Sequence, residues 1–272
     1  MVARGLLLLC LCAGALAQTG NPPAADPGGR LIKNSVPQLQ RRAEAGDAEA
    51  QYELARVYQR GESVPQDYGL ALRWYTIAAD HGYPPAQNNL AAMYAQGIGM
   101  AKDVNAAFRW YSRAAVSGSA AAQNNLGALY ANGQGAGHDD REAVRWFRKA
   151  ADAGFAAALA NLAIMYSQGR GVPEDAVQAT RYYEAAARAG FVAAMEPLGF
   201  RYADGVGATA NAVQAAYWLE QAANRGSLTA VQKLTAVLDG QAQNGDKAAR
   251  ERAAYWRGRI MQARDGGAGD KR

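Results

Sequence analysis

Two histidines, His81 and His138, and seven serines are the side chains of this 272-residue sequence best suited to metal binding or nucleophilic chemistry. A zinc site needs three or four convergent ligands. His81 falls in the last turn of one expected helix and His138 in an expected loop, neither beside a cysteine. No metal site is therefore expected. Ser35, Ser63, Ser112, Ser117, Ser119, Ser167 and Ser227 all lack a lysine three residues on, and none lies in G-x-S-x-G, so neither common serine-nucleophile arrangement is present. Gly97-Ile98-Gly99 and Gly169-Arg170-Gly171 look like fragments of a phosphate cradle. Each, however, would follow a helix rather than a strand and has no third glycine in place, which makes them turns and helix caps. No cofactor is expected, and the chain does not read as an enzyme.

With so little chemistry in the side chains, the elements that carry them become the subject. Hydrophobic residues make up 50% of the sequence, aromatic residues 9%, and glycine numbers 30. Such a mixture suits close-packed helices interrupted by glycine caps and is poor in the β-branched residues of sheets. The start of the chain reads differently. Arg4 precedes an apolar stretch at residues 5–16, and Ala15-Leu16-Ala17 is a small-x-small cleavage signal. These are the parts of a secretory signal peptide, too short for a stable membrane span. Cleavage is expected after Ala17, leaving a periplasmic or secreted protein with no integral membrane span. Both cysteines, Cys10 and Cys12, fall within the signal, so the mature chain has no thiol and no disulfide. The formal charge of +5, less Arg4, leaves +4. That charge is too mild and too dispersed for a nucleic-acid binder.

The sequence repeats itself. Leu54, Leu90, Leu126, Leu162, Leu198 and Leu234 stand 36 residues apart, each with an alanine four residues before it (Ala50, Ala86, Ala122, Ala158, Ala194, Ala230). Four residues after the first five stands a tyrosine: Tyr58, Tyr94, Tyr130, Tyr166 and Tyr202. This spacing shares one helix face and defines helix A. Gly61, Gly97, Gly133, Gly169 and Gly205 close it in the left-handed conformation. A second loop glycine follows at Gly99, Gly135, Gly171 and Gly207, where the first unit has Ser63. Asp67, Asp103, Asp139, Asp175 and Asn211 are expected N-caps for helix B, with Glu142 completing a capping box with Asp139. Helix B carries Ala71, Trp74 and Ala78 on its apolar face, and their equivalents thereafter, with Tyr182 replacing the fourth tryptophan. The tryptophan column reads as core rather than as a stacking platform. Pro197 predicts a kink in the fifth helix A.

These residues have a family likeness. The string A-Q-N-N-L-A-A-M-Y-A-Q-G-I-G from Ala86, followed by A-F-R-W-Y-S-R-A-A from Ala107, resembles the Sel-one-like repeat, a relative of the tetratricopeptide repeats. The likeness implies an all-α fold, a right-handed α-solenoid of stacked helix-turn-helix repeats, with helix A lining the concave face. It also implies an adaptor. The expected organisation is a signal peptide at 1–17, a flexible linker at 18–34, a solenoid over 35–264 and a disordered tail at 265–272. The repeats cover 47–82, 83–118, 119–154, 155–190 and 191–226, with a divergent capping unit at 227–264.

Binding should use columns that vary. On helix A the groove positions are Tyr52, Asn88, Asn124 and Glu196 before the leucine, and Arg56, Gln59, Ile164 and Phe200 after it. Such a groove could grip a protein segment through amides, with Phe200 as an aromatic anchor; solvated amides are the plainer reading. Asn89, Asn125 and Asn161 recur in phase and are expected to bond between repeats. On helix B, Arg73, Arg109, Arg145 and Arg181 form a column, joined by Arg113, Arg148 and Lys149. This basic stripe is either a solvated face or a site for an anionic polysaccharide or peptidoglycan. The first expectation is an exported scaffold that binds an unidentified protein and regulates an envelope sensor or assembly. The polymer binder comes second and a cell-wall or β-lactam hydrolase last.

Overall fold

The computed structural model describes residues 36–61 and 63–266, of which 260–266 are described as helix alone. The signal peptide and linker expected at 1–34 lie outside the described residues, as does the expected tail beyond Gly266. All regular structure among the described residues is helical, and consecutive helices pair into a repeat solenoid. The chain forms two compact units, divided after Phe155.

The first unit holds α1 (Val36–Glu44) and three pairs: α2 (Ala48–Arg60) with α3 (Tyr68–Asp80), α4 (Pro84–Gln96) with α5 (Val104–Val116), and α6 (Ala120–Asn132) with α7 (Asp140–Asp152). The second unit holds α8 (Ala156–Gln168) with α9 (Ala176–Arg188), α10 (Met195–Asp204) with α11 (Ala212–Ala223), and α12 (Leu228–Gln243) with α13 (Lys247–Gly266).

Punctuation sets these boundaries. Gly97, Gly133, Gly169 and Gly205 end their helices at φ 73°, 66°, 64° and 69°. Every expected N-cap side chain accepts a backbone N–H of the first turn of its helix, as Asp103 does from Ala106 at 2.9 Å. One expectation is corrected here. Asp139 caps α7, but its own N–H donates to the Tyr130 carbonyl, and Glu142 turns instead to Arg145, so the box is only half made. The bond from the cap amide recurs in five loops. Asp67, Asp103, Asp139, Asp175 and Asn211 donate to the carbonyls of Tyr58, Tyr94, Tyr130, Tyr166 and Tyr202 at 2.8–3.0 Å.

The second loop glycine is needed for space as well as for φ. A Cβ on Gly99 would lie 2.8 Å from Tyr68 Cβ, one on Gly135 2.8 Å from Phe108 Cβ, and one on Gly207 1.9 Å from the Ala176 carbonyl oxygen. Ser63 occupies the same position at φ 70°, the one non-glycine residue with positive φ among those described.

The leucine column lies at the centre, each member 0–1% exposed. Helices approach closely where side chains vanish: a Cβ on Gly127 would meet the Phe147 ring at 2.8 Å, and one on Gly199 would meet Leu219 at 2.6 Å. The deepest aromatic position of helix B is not the tryptophan but the residue after it. Tyr75 and Phe147 are wholly buried, whereas Trp74 and Trp110 are half-buried. In the second unit Pro197 does not kink a long helix. The segment opens as a 3-10 turn at Val192–Ala194, and α10 begins only at Met195, with Pro197 in its first turn, where a missing N–H costs least. The last pair departs further: α12 runs 16 residues, past the position where a glycine closes the other A helices. Trp256 on α13 nevertheless packs into the core at 2% exposure, its indole donating to Glu220 at 3.1 Å.

Ser63→Gly should raise stability by about 1 kcal/mol by removing the left-handed penalty of a Cβ. The check is an increased urea midpoint at unchanged m.

Candidate interaction site

Helix A does not present the line of groove residues expected from its sequence. In α4, residues 86–93 are buried without interruption, and in α6 residues 122–129 are. These two helices carry no charged residue at all. Each central A helix packs between two B helices, and its remaining side is taken up by amides. Asn88 and Asn124, expected in the groove, are 1% and 0% exposed. Gln59 and Tyr52 are buried at 8% and 4%, and in the second unit Ile164 is buried at 9%.

The buried polar groups form a relay through the first unit. Tyr75 Oη donates to Gln59 Oε1 at 2.6 Å and accepts from Asn89 Nδ2 at 3.1 Å. Asn88 Nδ2 donates to Asn89 Oδ1 at 3.2 Å, and Asn125 Nδ2 donates to Asn88 Oδ1 at 3.2 Å, joining α6 to α4. Asn89 and Asn125 therefore bond between elements, and Asn88, expected to face a ligand, joins the same relay. The reason is spacing: small residues bring the helices so close that an amide between them has only other buried groups to bond.

A second polar column was not singled out from the sequence. Gln51, Gln87 and Gln123 each donate from Nε2 to the carbonyl eight residues earlier, at Ala43, Ala79 and Ala115, over 3.0–3.1 Å. Each strap ties a helix A to the end of the preceding helix. The signal was present as a glutamine every 36 residues, three before the leucine. Gln51 Oε1 lies 3.0 Å from His81 Nδ1, which places His81 in a structural contact. His138 pairs with Asp140 at 3.2 Å. No group of three potential metal-ligating side chains forms among the described residues.

The other groove residues are partly accessible and engaged. Arg56 pairs with Glu53 at 2.8 Å and lies 5.7 Å from the Tyr52 ring centre. In the second unit, Glu196 is half-buried and accepts from Ser227 and Thr229, while Lys233 Nζ lies 5.7 Å from the Phe200 ring centre. Tyr58, Tyr94 and Tyr130 stay half-buried, one per pair on helix A. Their rings rest on the core of the first unit, and none of the three hydroxyls has a hydrogen-bond partner among the described residues.

Helix B presents the opposite surface. Arg73, Arg109, Arg113, Arg145, Arg148 and Lys149 are exposed in the first unit, and Arg181 in the second. Arg113 lies 4.7 Å from the Trp110 ring centre, Lys149 4.3 Å and Arg145 5.2 Å from that of Trp146.

An all-helical stack with a wholly consumed interior and chemistry repeated on its surface defines an interaction scaffold of the helical-repeat class. The Sel1 repeat model matches at residues 48–83, 84–119, 120–155, 156–191 and 192–227, one residue later than the boundaries set by the glycines. The chain belongs to the Sel1 repeat family. It is similar to a protective antigen of uropathogenic Escherichia coli strains that displays this fold, at 32% identity and a TM-score of 0.70, over 88% of this chain and 53% of that one. It therefore spans about half the length of that relative. A Sel1 repeat protein from Oxalobacter formigenes matches at 29% identity and a TM-score of 0.68, over 81% of this chain and 94% of that one. No curated protein sequence matches.

Two measurements follow from the buried polar groups. Asn88→Ala leaves Asn125 Nδ2 and Asn89 Oδ1 unpaired and should cost about 1–3 kcal/mol in urea unfolding. Burial raises the Tyr183 hydroxyl above its ordinary value. The folded state then holds this proton more tightly than the unfolded chain, so its contribution is complete below about pH 10 and is lost as pH rises further. Tyr183→Phe should flatten that alkaline decline in the urea midpoint.

Proposed function

We propose that this protein is an exported scaffold that holds an extended segment of a protein partner across the helix A side of its first unit, in the service of an envelope sensor or assembly. The interaction-scaffold part rests on the family. The observation that carries the finer reading is the row of half-buried tyrosines, Tyr58, Tyr94 and Tyr130, whose hydroxyls have no hydrogen-bond partner among the described residues. Tyrosine combines a broad apolar face with a polar tip and is enriched where protein interfaces concentrate their energy. Exposed amides at the helix ends, Gln96 and Asn132, stand one turn or less beyond it and can bond a partner's backbone. The contact row is thus shifted by six residues, about one and two-thirds helical turns, from the buried amides Asn88 and Asn124. The signal-peptide pattern in the sequence of residues 1–17 supports export.

A photo-crosslinking residue placed at Gln96 of residues 18–272, compared with one at Arg109 on helix B, tests this against envelope extract. One protein crosslinked from Gln96, and lost when Tyr58 and Tyr94 become alanine in a still-folded chain, is the expected result. Crosslinks confined to Arg109, or indifferent to the tyrosines, overturn the helix A reading.

A further inference from the structure

We propose that the helix B face of α5 and α7 is a binding site for an anionic polysaccharide, a chain bearing carboxylates at regular intervals. Arg109 and Arg113 stand four residues apart on α5, and Arg145 and Lys149 occupy the same two positions 36 residues later on α7. Residues four apart share a helix face. Their recurrence places two cations per repeat, in register, on adjacent pairs of one compact unit. All four are exposed.

Three of the four cations are held rather than loose. Arg113 sits over Trp110, and Arg145 and Lys149 both sit over Trp146, at 4.3–5.2 Å from the ring centres. A cation resting on an indole face has given up part of its rotamer freedom in advance, so ordering it around a ligand costs less. They are also largely uncompensated. Helix α5 contains no acidic residue. Among the described residues, Arg109, Arg113 and Lys149 have no carboxylate within ion-pair distance, Glu142 engages Arg145 at 3.0 Å, and Asp152, three residues after Lys149, forms no ion pair with it.

The kind of ligand follows from what else the face offers. A protein partner would call for an exposed aromatic or aliphatic anchor. The exposed large apolar residues of α3, α5 and α7 are Tyr68 and Val116, at the two extreme ends of α3 and α5. Single-stranded nucleic acid would call for open aromatic faces on which bases stack. Here Trp146 is 7% exposed, and both it and Trp110 are roofed by cations. A polyuronate asks for neither. It needs cations at a regular interval, with Arg forks suited to carboxylates. This site is independent of the helix A row, and either can fail without the other.

The full mature chain, residues 18–272, is tested on immobilised polygalacturonate, with the methyl-esterified polymer as neutral control. Polyglutamate and poly(dT) serve as rival polyanions. Binding to polygalacturonate but not to its ester, weakening steeply with salt, is expected. Arg113→Gln with Lys149→Gln should reduce it about tenfold, whereas Arg41→Gln with Lys247→Gln, which removes the same charge elsewhere, should change it less than about twofold. Helical content and urea midpoint establish that both variants are folded. Absence of binding, equal loss in both variants, or tighter binding to polyglutamate or poly(dT) each overturns the proposal.

Discussion

One backbone hydrogen bond organises this solenoid: the amide of each helix B cap residue donating to the carbonyl of the helix A tyrosine nine residues earlier. It recurs in five loops at 2.8–3.0 Å. The bond can form only if the chain reverses within a few residues, which requires two left-handed positions separated by one residue. Glycine supplies both in four loops, and Ser63 takes the second in the first. With the loop closed, the cap side chain is already aimed at the first turn of helix B, and the two helices meet at one angle and one register. The 36-residue period is the sequence consequence of that closed loop.

Identical hairpins can stack at close range only if their contact positions are small. The buried alanine columns meet this need between hairpins, and within the pairs α6–α7 and α10–α11 Gly127 and Gly199 leave no room for a Cβ. Close approach has a cost in polar accounting. Asparagines and glutamines between the central helices are buried, so their hydrogen bonds go to other buried side chains or to backbone carbonyls. The relay from Gln59 through Tyr75, Asn89 and Asn88 to Asn125, and the straps from the Nε2 of Gln51, Gln87 and Gln123, meet most of that need in the first unit, although Gln87 Oε1 and Gln123 Oε1 have no partner among the described residues. The amides that look most like ligand contacts in the sequence are therefore among the most thoroughly used in the structure.

Function is consequently pushed to what the stack leaves outside. Helix A keeps only the outer edges of its tyrosines and its polar ends. Helix B keeps a whole face, on which tryptophan serves two purposes: its inner edge fills the space beside the core and its outer face supports cations. In the second unit the same positions are put to different use. Glu220 on α11, two residues after Trp218, accepts from both Arg252 and Trp256 and so draws α13 onto the end of the chain. That contact lets the divergent last pair close the unit although its loop has changed.

The sequence by itself determined the helices, their caps, the period and the identity of the central leucine column. All of these are local or strictly periodic: a glycine that must have positive φ or an aspartate before a helix acts within a few residues, and repetition reports it many times over. The cationic columns of helix B were equally legible, because a residue flanked by small or charged neighbours on the outer phase has nothing to bury it. Only the tertiary structure decided which polar residues are inside. Asn88 is buried where the next hairpin arrives within hydrogen-bonding distance, Asn124 is buried at the matching position of α6, and Gln59 is buried against Tyr75 of its own pair. The same holds for Tyr75, deeper than the Trp74 beside it. A helical wheel records the face on which a side chain lies, whereas burial depends on how nearly the neighbouring helix approaches, and that distance is set by the side chains of both.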